Sequence, residues 1–180
     1  MNILFSLIFM LNPFSSTPDN PTYLALGDSY KIGTNGIPSE SFPAQLSLAM
    51  RWKNRKVIAE KGWQTRDLIR AMATDGLEKA PYDNISMLIG VNNQFSKGDI
   101  EVYKEDLRSI INFAIISCKG GANGVFALSI PDYTITPFGK NWGRSTSSEI
   151  AYWNKACADV CAEIGTKLID ITPIYYIRRK

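Results

Sequence analysis

The chain has 180 residues, 45% of them hydrophobic and 21% charged, with no histidine and a net charge of +3. That is room for one domain with its own core, and the balance is that of an ordinary globular protein, which excludes a disordered chain. The excess charge is carried by Arg178, Arg179 and Lys180, so the body is near neutral and lacks the basic stripe that a nucleic-acid binder needs.

In chain order, the first feature is an apolar run over 3–11, ILFSLIFML, followed by the loop-like NPFSSTPDNP. Such a run is too short to span a bilayer and suits the hydrophobic region of a signal peptide. Ser15 and Thr17 supply a small-x-small pattern for cleavage, whereas the lack of Lys or Arg before Lys31 speaks against a signal. Export, periplasmic or secreted, is the expectation, with a cytoplasmic location if the leader is not a signal peptide. Residues 1–22 are set apart as leader and loop, 23–174 as one domain and 175–180 as a basic tail. No transmembrane span is expected.

Strand and helix signals then alternate. Short apolar strands are predicted over 23–26, 57–59, 85–89, 125–129 and 168–171. Helices are predicted over 41–52, with Phe42, Leu46, Ala49 and Met50 at helical spacing, and over 65–72. A long helix over 100–117 carries Tyr103, Leu107, Ile110, Ile111 and Ala114 on one face. Thr146-Ser147-Ser148-Glu149 reads as a capping box, opening a helix with Ile150, Trp153, Cys157, Val160 and Ile164 on one stripe and stopped by Gly165. Of three cysteines, Cys157 and Cys161 are spaced i, i+4; without histidine or a second pair they read as packing residues, and no metal is expected.

This alternation implies a parallel sheet covered on both faces, and ligands of such sheets bind outside the carboxyl ends of the strands. Four polar positions follow four strands: Ser29, Gly62, Asn92 and Asp132. All four are therefore expected on one rim. A serine there can attack an acyl carbon, with the Ser29 N–H, the Gly62 N–H and the Asn92 side-chain amide as donors where an oxyanion develops. Each residue also has a structural explanation: a turn or cap at 27–29, a loop glycine at 62, turn asparagines at 92 and 93, a cap at Asp132. Trp63, Phe95, Tyr133, Phe138 and Trp142 are candidates either for an apolar acyl groove or for the core.

The motifs resemble those of the SGNH, or GDSL-type, serine hydrolases: LALGDSYKIG carrying Ser29, AEKGWQTRDLI carrying Gly62 and LIGVNNQF carrying Asn92. SIPDYTITPFG and LIDITPI are similar to later stretches of bacterial lysophospholipase-like members. The resemblance implies a three-layer α/β/α, flavodoxin-like fold with a five-stranded parallel sheet, and hydrolysis of acyl esters or thioesters without a cofactor. It implies Ser29 as nucleophile and oxyanion donor, with Gly62 and Asn92 as further oxyanion donors. Asn93 stands where the family usually has aspartate.

The family's last block, Asp-x-x-His, supplies the base, and nothing here matches it; the chain reads DITPIYYIRRK at its end. The expectation is a C-terminally truncated hydrolase, inactive or severely impaired, lacking its terminal helix. A sheet face left uncovered in this way would favour self-association. Lys31 and Lys61 are alternative bases, each read by default as a solvated surface lysine. Two other functions are weighed: a non-catalytic binder of acyl or acetylated ligands, and a flavodoxin-like anion or nucleotide binder, for which no phosphate-loop pattern is present. The partner in the leading case is a small acyl ester or lipid-like substrate.

Overall fold

The computed structural model describes residues 21–34, 36–52, 54–75 and 81–173. The expected leader, but for its last two residues, and the basic tail lie outside them. Five strands, β1 (Thr22–Gly27), β2 (Asn54–Ala59), β3 (Asn84–Leu88), β4 (Val125–Leu128) and β5 (Lys167–Ile169), form one parallel sheet in the order β2-β1-β3-β4-β5. This is the flavodoxin-like order, whose switch point lies between β1 and β3. The intervening helices are α1 (Ser29–Ile32), α2 (Phe42–Ala49), α3 (Thr65–Asp75), α4 (Val91–Phe95), α5 (Ile100–Ile116) and α6 (Gly143–Ile164).

The strands are apolar on both faces because both are buried. Leu24, Leu26, Ile85, Met87, Val125 and Ala127 pack with the predicted stripe of α5, with Leu68 and Met72 of α3, and with Ile150, Trp153, Cys157 and Val160 of α6. The opposite face carries Tyr23, Ala25, Leu88, Phe126, Leu128 and Ile169, with Leu46 and Trp52 against them. The helix ends follow local chemistry. Asp99 Oδ1 accepts from the N–H groups of Glu101 (2.7 Å) and Val102 (3.2 Å) to open α5, and Gly165 closes α6 in the left-handed region.

Two expectations are corrected. The last long helix does not open on a capping box at 146–149 but begins at Gly143. The residues of that pattern serve other bonds: Thr146 Oγ1 donates to the Trp142 carbonyl, Ser147 Oγ to Asp132 Oδ2 (2.5 Å), and Glu149 accepts from Lys97 and Gln94. The expected apolar gap over the sheet is also absent at the residues that would show it. Phe126, Leu128 and Ile169 are at most 4% exposed and Ile171 9%. Of the described residues, no helix is long and apolar enough to cross a membrane.

Candidate active site

β1 delivers Gly27 to the carboxyl edge of the sheet, and Asp28 turns the chain. Its Oδ1 accepts the Tyr30 N–H (3.0 Å), capping α1, and Gly33 ends that single turn. Ser29 is thus the first residue of α1, half-buried at the edge. β3 ends one strand away, and α4 begins at Val91, so Asn92 emerges on the other side of the switch point. Ser29 and Asn92 line one cavity of about 420 Å³, together with Tyr30, Thr34, Lys61, Val91, Phe95, Tyr133 and Phe138.

Gly62 is not among the lining residues, but its neighbour Lys61 is. The turn is tied to α4 by Asn92 Nδ2, which donates to the Trp63 carbonyl (2.8 Å); among the described residues its second N–H has no acceptor. Gly62 has φ +87°, and a Cβ there would meet nothing within 4 Å. Glycine is required for its left-handed backbone and not for room. Asp132 caps the turn Tyr133–Ile135 through the Thr134 N–H and lies outside this cavity, against a neighbouring groove with Ser129, Asn154 and Asp170.

Of the five aromatic candidates, Phe95, Tyr133 and Phe138 line the cavity. Trp142 braces them from behind, with ring centroids 5.2, 5.3 and 4.9 Å from theirs. Trp63 packs against the core. Tyr133 is held by its hydroxyl, which donates to Gln94 Oε1 (2.7 Å). Tyr30, Thr34 and Val91 escape a motif reading. Their signal is adjacency: each lies within five residues of Ser29 or beside Asn92.

Lys31 is not a solvated surface lysine. It is 1% exposed, with its Nζ donating to Ser86 Oγ (2.6 Å) and lying 4.5 Å from the centroid of the Phe42 ring. Burial pulls its ammonium well below the ordinary lysine pKa. Ser86 pairs with Ala25 in the sheet register, and its hydroxyl also bonds Tyr23 (2.5 Å), so the amine is committed down the sheet, away from the edge. Among the described residues no side chain hydrogen-bonds the Ser29 hydroxyl. Asp28, fully buried beside it, is pushed up to about 7, mainly by burial, against the opposing pull of the Tyr30 N–H and Lys31.

Gly27 makes this arrangement physically possible. A Cβ at Gly27 would sit 2.2 Å from the Leu88 carbonyl oxygen and 2.5 Å from Lys31 Cγ. The first obstacle is backbone of the paired strand and cannot step aside. Gly27→Ala is expected to cost about 1–3 kcal/mol through forced separation of β1 and β3 or displacement of α1. An unchanged urea midpoint would contradict the clash.

Asn93 is buried in a second layer. Its Oδ1 accepts the Thr65 N–H (3.1 Å), its Nδ2 donates to Thr65 Oγ1 (2.9 Å), and that hydroxyl donates its single proton to Asp106 Oδ2 (2.6 Å). An aspartate at 93 would present an acceptor where a donor is needed, because the threonine proton is already spent on Asp106. Asn93→Asp is therefore expected to destabilise by about 1–3 kcal/mol near neutral pH, read as a lower denaturant midpoint; Asp106→Asn in the same chain should recover part of it.

Comparison with known proteins places this geometry. The sequence profile of the GDSL-like Lipase/Acylhydrolase family matches residues 25–179. No functionally curated protein matches the chain. Among solved structures, it is similar to AlinE4, an SGNH-hydrolase family esterase, at 18% identity with TM-score 0.63 over 86% of this chain and 77% of that one. It is similar to TesA at 19% identity and TM-score 0.61, over 82% and 76% of the two chains. A lipolytic G-D-S-L family member from Veillonella parvula gives 15% identity and TM-score 0.67, over 88% and 81%. At those identities the structures speak for the fold. The family profile spans most of the sequence, and the chain belongs to the GDSL-like lipase/acylhydrolase family.

Proposed function

We propose that the cavity is an acyl-ester site of the serine-hydrolase type, with the carbonyl carbon facing Ser29 Oγ and the acyl group lying along the aromatic wall. The observation that carries it is the meeting of Ser29 and Asn92, from two strands at the switch point, on one cavity also lined by Phe95, Tyr133 and Phe138. Nucleophile and oxyanion donors must approach the same carbonyl from different directions, and a switch point splays consecutive turns apart enough to admit one.

In this assignment Ser29 Oγ is the nucleophile. The oxyanion is met by the Ser29 N–H, the Gly62 N–H and the free N–H of Asn92, whose other N–H fixes the amide on the Trp63 carbonyl. Neither the Ser29 nor the Gly62 N–H has an acceptor among the described residues; Ser29 lines the cavity, and Gly62 follows Lys61, which does. The 180 residues hold no imidazole to take the serine proton, so this chain by itself binds the ester and stabilises charge on it but turns it over slowly.

Decyl trifluoromethyl ketone tests the assignment: Ser29 Oγ adds to its carbonyl carbon and the serine proton passes to the carbonyl oxygen, giving a neutral hemiketal whose oxygen lies against the oxyanion donors. It is expected to bind more tightly than the corresponding methyl ketone, and Asn92→Ala and Ser29→Ala should each weaken it about tenfold or more. Equal binding to both variants and the unaltered chain would remove these residues from the site.

A further inference from the structure

We propose that the cavity selects amphiphiles bearing a negative charge, the anionic group pairing with Lys61 while the chain lies on Phe95, Tyr133 and Phe138. The proposal rests on the acyl-site reading above and adds the charge class of the ligand. Lys61 is, among the described residues, the one lining residue with a formal charge. Among the described residues no carboxylate pairs with it, whereas Lys97, just past α4, is committed to Glu149 at 2.6 Å. Of the other polar lining atoms, the Ser29 hydroxyl and the Asn92 amide are donors that can meet an incoming oxygen, whereas the Thr34 hydroxyl donates to the Ser29 carbonyl (3.3 Å).

The other half of the cavity is built for apolar contact. Phe138 is 69% and Phe95 52% exposed, unusual for large rings held in a four-ring cluster. Covering such surface gains about 25 cal/mol per Å². A cavity of about 420 Å³ lies in the size range of small-molecule sites. A cavity lined by one ammonium and three aromatic rings fits a ligand with both parts. A carboxylate and a phosphate share the required chemistry, a full anion that accepts from an ammonium.

The test is calorimetric titration at low salt with decanoate, decyl phosphate and decanol, each below its micellar concentration. One or both anions should bind the unaltered chain about threefold to tenfold more tightly than decanol, the range of an exposed ion pair. That preference should fall with added salt, vanish in Lys61→Met with decanol binding unchanged, and persist in Lys61→Arg. The anion that shows it separates the carboxylate from the phosphate source. Decanol binding as tightly as both anions, or a preference that survives Lys61→Met, overturns the charge assignment while leaving an acyl cavity standing. No binding by any of the three overturns both. Lys61 is exposed, and the thermal transition of each variant, measured alongside, separates a lost preference from a lost fold.

Discussion

Assayed by itself against a short-chain p-nitrophenyl ester at neutral pH, the 180-residue chain is expected to be roughly a million-fold slower than a hydrolase with its serine and base in place. A serine hydroxyl is a poor nucleophile until a neighbour takes its proton, and the sequence contains no histidine. The two lysines nearest in sequence do not fill the role. Lys31 donates to Ser86 inside the sheet face, and Lys61 lies exposed on the cavity wall with no bond to the Ser29 hydroxyl. On the assignment proposed above, what remains is binding and oxyanion stabilisation, worth about 10³–10⁴ over water in the serine-protease case. Ser29→Ala should then leave the residual rate nearly unchanged. Steady turnover that Ser29→Ala abolishes would mean that some other group deprotonates Ser29.

The second large effect concerns stability and pH. Asp28 Oδ2 is buried with no hydrogen-bond partner, while Oδ1 serves the α1 cap. Its pKa rises from 3.8 to about 7 on folding because burial disfavours the carboxylate. Between those values the folded chain binds more protons than the unfolded one, so the Asp28 contribution to stability is fully present below 3.8 and is lost as pH climbs through about 7. Asp28→Asn keeps an oxygen for the Tyr30 N–H and removes the charge. It should be close to neutral at about pH 4 and more stable than the original by an amount on the order of 4 kcal/mol at about pH 8. Lys31 has the opposite slope, its lowered pKa making stability rise toward alkaline pH, but it is present in both chains and largely cancels in the difference. Urea midpoints at the two pH values decide it. A gain of equal size at both would locate the effect in packing and not in charge.

Much of the architecture is legible without coordinates. The five strands, the stripe of α5 from Tyr103 to Ala114 and the stop at Gly165 all follow from periodicity and glycine placement, and each is where the pattern puts it. The opening of α6 is not, because Ser147 and Glu149 have partners distant in sequence that outcompete a local cap, and Thr146 bonds back to the Trp142 carbonyl one turn earlier. Serine and glutamate side chains satisfy either use equally well, and only the arrival of Asp132 and Lys97 chooses between them. The two short helices α1 and α4 are likewise invisible, since a single turn carries no period.

The site divides the same way. Residue order and strand ends alone assign Ser29, Gly62 and Asn92 to one edge, because in a parallel sheet every strand terminates on the same side. The fate of the lysines is a tertiary matter. Lys31 is drawn into the sheet by the room that Gly27 leaves and by the hydroxyl of Ser86, a residue 55 positions away. Lys61, equally bland in sequence, comes to rest on the wall of the cavity that Phe95, Tyr133 and Phe138 also line. Local pattern fixes which atoms a segment exposes along its own axis; which charge is buried and which meets a ligand depends on desolvation and partners, and those exist only once distant segments are brought together.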